Sequence, residues 1–167
     1  MVADFDAVAP AAPVLNVLMV DDHPGERTLL RDALATSSPN IVFHETENAV
    51  QAFWFLAKQR EYLKRPTPDL ILLDLAMPVI DGKRVLEVLR RDPQWKRLPV
   101  IVLTTSARDV DLAMCHGMGV VAFITKPALW EDYLALGAML NSYLAKGVAP
   151  TDTGKVKAHF FVRPSAA

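Results

Sequence analysis

The sequence predicts a doubly wound α/β domain on a parallel sheet, and three observations carry that reading. Short apolar runs recur along the chain: Leu15 to Val20, interrupted only by Asn16, and the unbroken runs Leu70 to Leu73, Pro99 to Leu103 and Val120 to Ile124. Such runs are what strands buried on both faces look like. Stretches with helical spacing alternate with them, as parallel crossovers require. Each run also stops on polar residues: Asp21-Asp22, Asp74, Thr104-Thr105 and Thr125-Lys126. Open parallel sheets hold their functional groups in the crevice at the carboxyl ends of their strands.

Taken in order, residues 1 to 13 are rich in Ala and Pro without usable periodicity and are read as a lead-in. After the first strand, His23-Pro24-Gly25 turns the chain into a helix from about Glu26 to Leu34. Pro24 falls in its first turn, where the missing N–H costs nothing. Thr36 to Asn40 is a polar turn, and Ile41 to Phe43 is the second strand. The next helix is expected to be long, from about Asn48 to Arg65, where Pro66 and Pro68 stop it. On it Ala49, Phe53, Leu56 and Arg60 share one face, expected to meet the sheet through its apolar members, with Phe55 and Tyr62 opposite.

Leu70 to Leu73 is the third strand, and Val79-Ile80-Asp81-Gly82 then leads into a helix over Lys83 to Arg91 with Val85, Leu86 and Leu89 inward. A fourth strand and a short helix, Asp109 to His116, follow. Gly117 and Gly119 offer that helix a left-handed stop. The fifth strand carries Phe123, and the last helix runs from Trp130 to Ala145 with Leu134, Met139, Leu140 and Leu144 among its apolar positions. In the tail, Ala158 to Val162 has strand composition and needs an edge to pair with, in its own sheet or in a second chain.

With 167 residues, 51% of them apolar, the chain can bury one ordinary core. A net charge of −1 and a pI near 6.4 argue against a generic nucleic-acid binder. The one cysteine, Cys115, allows no disulfide within a chain and reads as a buried structural thiol. No apolar stretch reaches bilayer length and no basic leader precedes one, so no membrane partner and a reducing cytoplasm are expected.

The chemistry lies in what the strand ends bring together. Asp74 alone could merely begin a turn before Pro78. If the first and third strands are central neighbours, however, Asp21, Asp22 and Asp74 converge, and three like charges so close are untenable without compensation. A hard divalent cation held by oxygens is the natural remedy, Mg2+ keeping water on its remaining positions. The other two strand ends add hydroxyls and the Lys126 ammonium. A cation, a lysine and a threonine around a carboxylate make a place for an added phosphoryl group.

The order Asp-Asp, then Asp in LLDLAMP, then Thr, then Lys-Pro, each closing an apolar run, resembles the receiver domain of two-component response regulators over roughly 14–145. That resemblance implies a five-stranded, flavodoxin-like sheet of order 2-1-3-4-5, with 146–167 as a C-terminal extension, a candidate for forming a homodimer. It implies that Asp74 accepts a phosphoryl group from a phosphohistidine on a sensor kinase. Asp22 binds Mg2+ directly, Asp21 through water, and the backbone carbonyl of Ala76 supplies a further oxygen. Lys126 moves from Asp74 to a phosphate oxygen, and Thr104, the first residue past its strand, swings to another.

Thr105 is expected to crowd access, and Ala76 and Ser106 offer an attacking water no strong base, so slow dephosphorylation is expected. Phe123 stands where the family keeps a residue that reports phosphorylation, although a plain core Phe would look the same. His23, next to Asp22, is weighed as a ligand but read as a loop residue, because receiver-like sites bind their ion through oxygens. The long second helix and the segment RRDPQWKRLPVIVLTTS resemble the single-domain regulators paired with phytochrome-type histidine kinases.

Three other readings have weaker footing. An aspartyl-nucleophile phosphatase resembles a D-x-D pattern, and Asp74 is followed by Leu75-Ala76. A flavin or nucleotide binder needs a glycine or hydroxyl cradle after the first strand, where this chain has two acids. A receiver fold kept as a dimeric scaffold or phosphate sink would not need the full set of acids, Thr and Lys. About twenty residues follow the last helix, too few for a DNA-binding domain, so no direct nucleic-acid contact is expected.

Overall fold

The computed structural model describes residues 13–37, 40–105, 108–147 and 155–161. The expected lead-in up to residue 12, Ser106 and Val162 lie outside the described residues. Along the chain come β1 (Leu15–Val20), α1 (Pro24–Ser37), β2 (Ile41–Thr46), α2 (Ala49–Leu56), β3 (Leu70–Leu73) and α3 (Gly82–Arg91). They are followed by β4 (Val100–Thr104), α4 (Asp109–Gly117), β5 (Ala122–Thr125), α5 (Trp130–Lys146) and β6 (Ala158–Phe160). Among the described residues the sheet has the order β2-β1-β3-β4-β5-β6. The first five strands are parallel, as expected, and β6 adds an antiparallel edge on β5 of its own chain.

Alternation along the strands divides the core in two. Val17, Met19, Leu70, Leu72, Ile101 and Leu103 face α1 and α5, while Leu18, Val20, Ile71, Leu73, Val100 and Val102 face α2, α3 and α4. Each fully buried Leu or Ile of this kind contributes roughly 1.5–3 kcal/mol relative to exposure. Gly137 of α5 abuts the backbone of Ala33 in α1, where a Cβ would come within 2.8 Å of the Ala33 carbonyl oxygen. The absent side chain lets those two helices close together. No helix among the described residues is long and apolar enough to cross a membrane.

The second helix departs from expectation. It stops at Leu56, not Arg65, because Lys58 turns left-handed (φ 53°) and the chain closes on the helix end: Lys58 N–H donates to Phe55 O (3.1 Å) and Gln59 N–H to Trp54 O (2.8 Å). This is a Schellman stop with lysine where glycine is usual. Arg60 (φ 54°) starts a single 3-10 turn, Arg60–Tyr62, and its guanidinium lies over the Trp54 ring at 4.1 Å.

The inward face is also different. Ala49, Ala52 and Phe55 are buried, while Phe53 and Leu56 are half-buried. The two alanines let α2 lie close to the sheet. Phe55, which helical counting over the longer span had placed outward, fills the gap against His44 (ring centroids 5.1 Å apart) and Tyr62 (5.5 Å). Phe53 stacks on Trp95 instead.

His44 of β2 carries a pH consequence. Its ring is 7% exposed and shares its Nε2 proton with Asn16 Oδ1 at 3.0 Å. Burial, with a smaller push from the Arg65 charge, holds its pKa below the ordinary 6.5. A lowered folded pKa means the neutral ring stabilises the fold above pH 6.5, and that stability is lost as pH falls below 6.5 through the lowered value. Urea midpoints measured between pH 7.5 and 5 are expected to fall for the natural chain and to fall less for His44→Gln.

Other expectations hold. Cys115 is buried, and burial pushes its thiol up to about 11, which leaves little thiolate to react. Val85, Leu86 and Leu89 point inward from α3. On α5, Met139 and Leu140 are buried and Leu134 and Leu144 half-buried.

Candidate functional site

Three backbone bonds at the strand ends carry the ladders one residue past the strands. Asp21 N–H donates to Thr46 O (3.1 Å), Asp74 N–H to Val20 O (3.0 Å) and Lys126 N–H to Thr104 O (2.9 Å). Side chains from distant positions are thereby set side by side at one edge. Asp21 and Thr104 are wholly buried, Asp74 is 2% exposed and Lys126 9%.

The Lys126 ammonium lies 2.7 Å from Asp21 Oδ2 and 3.1 Å from Asp74 Oδ2, and also contacts the Glu26 carboxylate. Burial works to lower its pKa, but the Asp21 and Glu26 carboxylates outweigh it and the net shift is upward, so the amine stays charged. Burial raises the pKa of Asp21 despite the attraction of Lys126. The basin holds more negative charge than one ammonium neutralises.

The loops are anchored from below. Arg27, buried on α1, donates from Nη1 to the Asp21 carbonyl (2.6 Å) and pairs with Glu45 (3.3 Å) and Glu47 (3.5 Å) of the β2 end. Asp74 Oδ1 accepts the Ala76 N–H at 3.0 Å, and Gly82 N–H donates to Leu75 O at 3.0 Å. Asp81 caps α3 through Arg84 N–H (2.9 Å). Beside this loop, buried Asp111 of α4 binds Lys83 Nζ at 2.6 Å and Arg108 Nε at 2.9 Å. Its pKa is lowered, chiefly by the Lys83 hydrogen bond, and it ties the first turns of α3 and α4 together.

At the tip, Val79 is fully exposed with φ 67°, a left-handed conformation that suits glycine and strains a β-branched residue. Strain of this kind costs of order 1–3 kcal/mol and collects at functional sites. Val79→Gly is expected to raise unfolding stability by about 1 kcal/mol in urea titrations, part of the relief being offset by the freer unfolded chain.

Of the residues singled out in the sequence, Asp21, Asp74 and Lys126 meet directly, and Thr104 joins them through the Lys126 backbone. Thr104 is the last residue of β4 and not the first beyond it. Asp22 stands at the rim, its side chain 26% exposed and 3.3 Å from His23 Nδ1. Thr105 is exposed, and Phe123 is buried in the core facing α2, α3 and α4. Glu26 was missed: it had been used only to place the helix start. An acid in the first turn of a helix that follows directly on the Asp-Asp pair must lie at the same sheet edge, and that was the available signal.

The donor set fits a divalent cation. One ligand atom each from Asp21, His23, Glu26 and Asp74 can lie within 4.8 Å of one another. Asp22 Oδ1 is buried with no hydrogen bond, met only by the ion-pair approach of His23 Nδ1 at 3.3 Å. The Lys126 ammonium, touching three of those carboxylates, stands in for the charge that such an ion would bring.

A parallel sheet of this order, with buried acids, a lysine and a threonine at its strand ends, defines a receiver-type α/β protein. The chain belongs to the response regulator receiver domain family, whose profile matches residues 17–151. It is 33% identical over 131 residues to Response regulator Rcp1 of Synechocystis sp., covering 78% of this chain and 89% of that one. Among solved structures it is similar to the phosphorylated cyanobacterial phytochrome response regulator RcpA (TM-score 0.75, 30% identity, 82% of this chain and 97% of that chain). It is also similar to the Mn2+-bound form of Rcp1 (TM-score 0.73, 32% identity, 82% and 99%).

Proposed function

We propose that this chain is a phosphoacceptor: Asp74 takes a phosphoryl group from a phosphohistidine on a sensor kinase, of the phytochrome type in view of the relatives named above. The observation that carries the reading is the contact of one buried ammonium with Asp74, Asp21 and Glu26 at the ends of parallel strands. Such a transfer is largely a matter of position and charge. A carboxylate oxygen of Asp74 attacks phosphorus in line, the new O–P bond forms as the P–N bond breaks, and the imidazole nitrogen leaves with the electron pair and takes up a proton.

The residues divide that work. The Ala76 N–H on Oδ1 leaves the other oxygen, now on Lys126, as the one to be freed for attack. Lys126 then follows the negative charge onto the phosphoryl oxygens, and the Thr104 hydroxyl donates to another. Asp21, Glu26 and Asp74, with Asp22 and the Ala76 carbonyl at the rim, would hold Mg2+, which when bound supplies positive charge to the transferring group.

Movement of Thr104 is the proposed switch, biasing α4, β5 and α5 between two arrangements with Phe123 inside the moving region. The covalent phosphate shifts that balance only through contacts that differ between the two. The output is a change of partner or of homodimer, with slow loss of phosphate because Ala76 offers an attacking water no base. The test is labelling with acetyl phosphate, or a phosphorylated kinase, in Mg2+. One hydroxylamine-labile phosphoryl group per chain is expected, and no uptake from either donor would sink the reading.

A further inference from the structure

We infer that His23 gives the cation site a nitrogen donor, so that this chain discriminates between divalent ions, favouring borderline transition metals over Mg2+ by more than oxygen ligands alone would. The inference rests on the proposed cation site and concerns its selectivity.

The geometry comes first. His23 Nδ1 lies 3.6 Å from Asp21 Oδ1 and 3.3 Å from Asp22 Oδ1. It can share a sphere with Asp21, Glu26 and Asp74 oxygens, all within 4.8 Å of one another. Ligand atoms with bonds of about 2.0–2.2 Å around one ion stand roughly 3–4.4 Å apart. The present spacing therefore needs only a small contraction.

The backbone holds the ring in place. His23 N–H donates to Asp21 Oδ1 at 2.8 Å, and its carbonyl accepts from Arg27 N–H at 3.2 Å, just ahead of Pro24 and the start of α1. With both backbone groups engaged, only the side-chain torsions remain to be ordered when an ion arrives. The ring is 60% exposed, so it gives up little burial to turn inward.

Chemistry then sets the selectivity. Mg2+ is hard, prefers oxygen and keeps its waters, whereas imidazole suits Co2+, Ni2+ and Zn2+. Any site binds these ions more tightly than Mg2+ to some degree. The signature of a nitrogen donor is therefore the part of that preference that disappears with the ring.

The experiment is calorimetric titration of the full chain with Mg2+ and with Co2+, for the natural protein, His23→Ala and His23→Gln, with thermal melts to show that both variants fold. Removing the imidazole is expected to weaken Co2+ by about tenfold or more, leave Mg2+ within about twofold, and alter the visible absorption of the Co2+ complex. Equal loss for both ions, or no loss for either, would overturn the inference while leaving the cation site intact. Failure of the natural protein to bind either ion would overturn both.

Discussion

Asp74→Asn is expected to reduce phosphoryl uptake to background, a fall on the order of a hundredfold or more, because a neutral amide is a far poorer nucleophile than a carboxylate. The substitution is nearly isosteric, so the Ala76 N–H retains an oxygen to donate to and the loop keeps its shape. Removing one negative charge from an overfilled basin should also leave stability unchanged or slightly higher, since Asp21 and Glu26 still hold Lys126. Phosphotransfer assays with intact-mass spectrometry, alongside urea unfolding of the same sample, separate the two effects. Undiminished labelling of a folded Asn variant would mean that another side chain is the acceptor.

Gly82→Ala is expected to cost about 3 kcal/mol or more of stability and to abolish uptake with it. A Cβ at residue 82 would fall 2.0 Å from the Asp74 carbonyl oxygen and 2.7 Å from Leu75 Cα. These are backbone atoms of the loop that begins at Asp74, not the ends of flexible side chains, so the start of α3 or the loop itself must move. Either movement breaks the Gly82 N–H bond to Leu75 and disturbs Asp74. A urea midpoint equal to that of the natural chain would show that the loop yields at little cost.

The strands were legible because short, mostly apolar runs ended abruptly on polar or charged residues. Leu15–Val20 and Leu70–Leu73 have the expected bounds, and their ends already pointed to Asp21 and Asp74. α3 was readable from its turn and its inward residues. What was hidden depends on tertiary geometry or on unusual local choices. Lys58 stops α2 in a position where glycine would have announced the stop, and the spacing read past it then assigned Phe55 to the wrong face. The Asp111 to Lys83 bridge joins positions far apart in sequence with no local pattern. Glu26 enters the site only because the β1 to α1 turn is tight. For the tail, composition indicated a strand but not which edge it would take.

That tail bears on the basin directly. Thr125, the neighbour of Lys126, donates its N–H to Lys157 O at 3.0 Å, while Phe161 reaches Val121 O at 3.0 Å and stacks on His116 of α4. One peptide separates the charged end of the sheet from the seam that closes its flank. There is thus little slack between the chemistry and the border: a displacement of Lys126 passes along covalent bonds into the last rung of the sheet, without relay through the core.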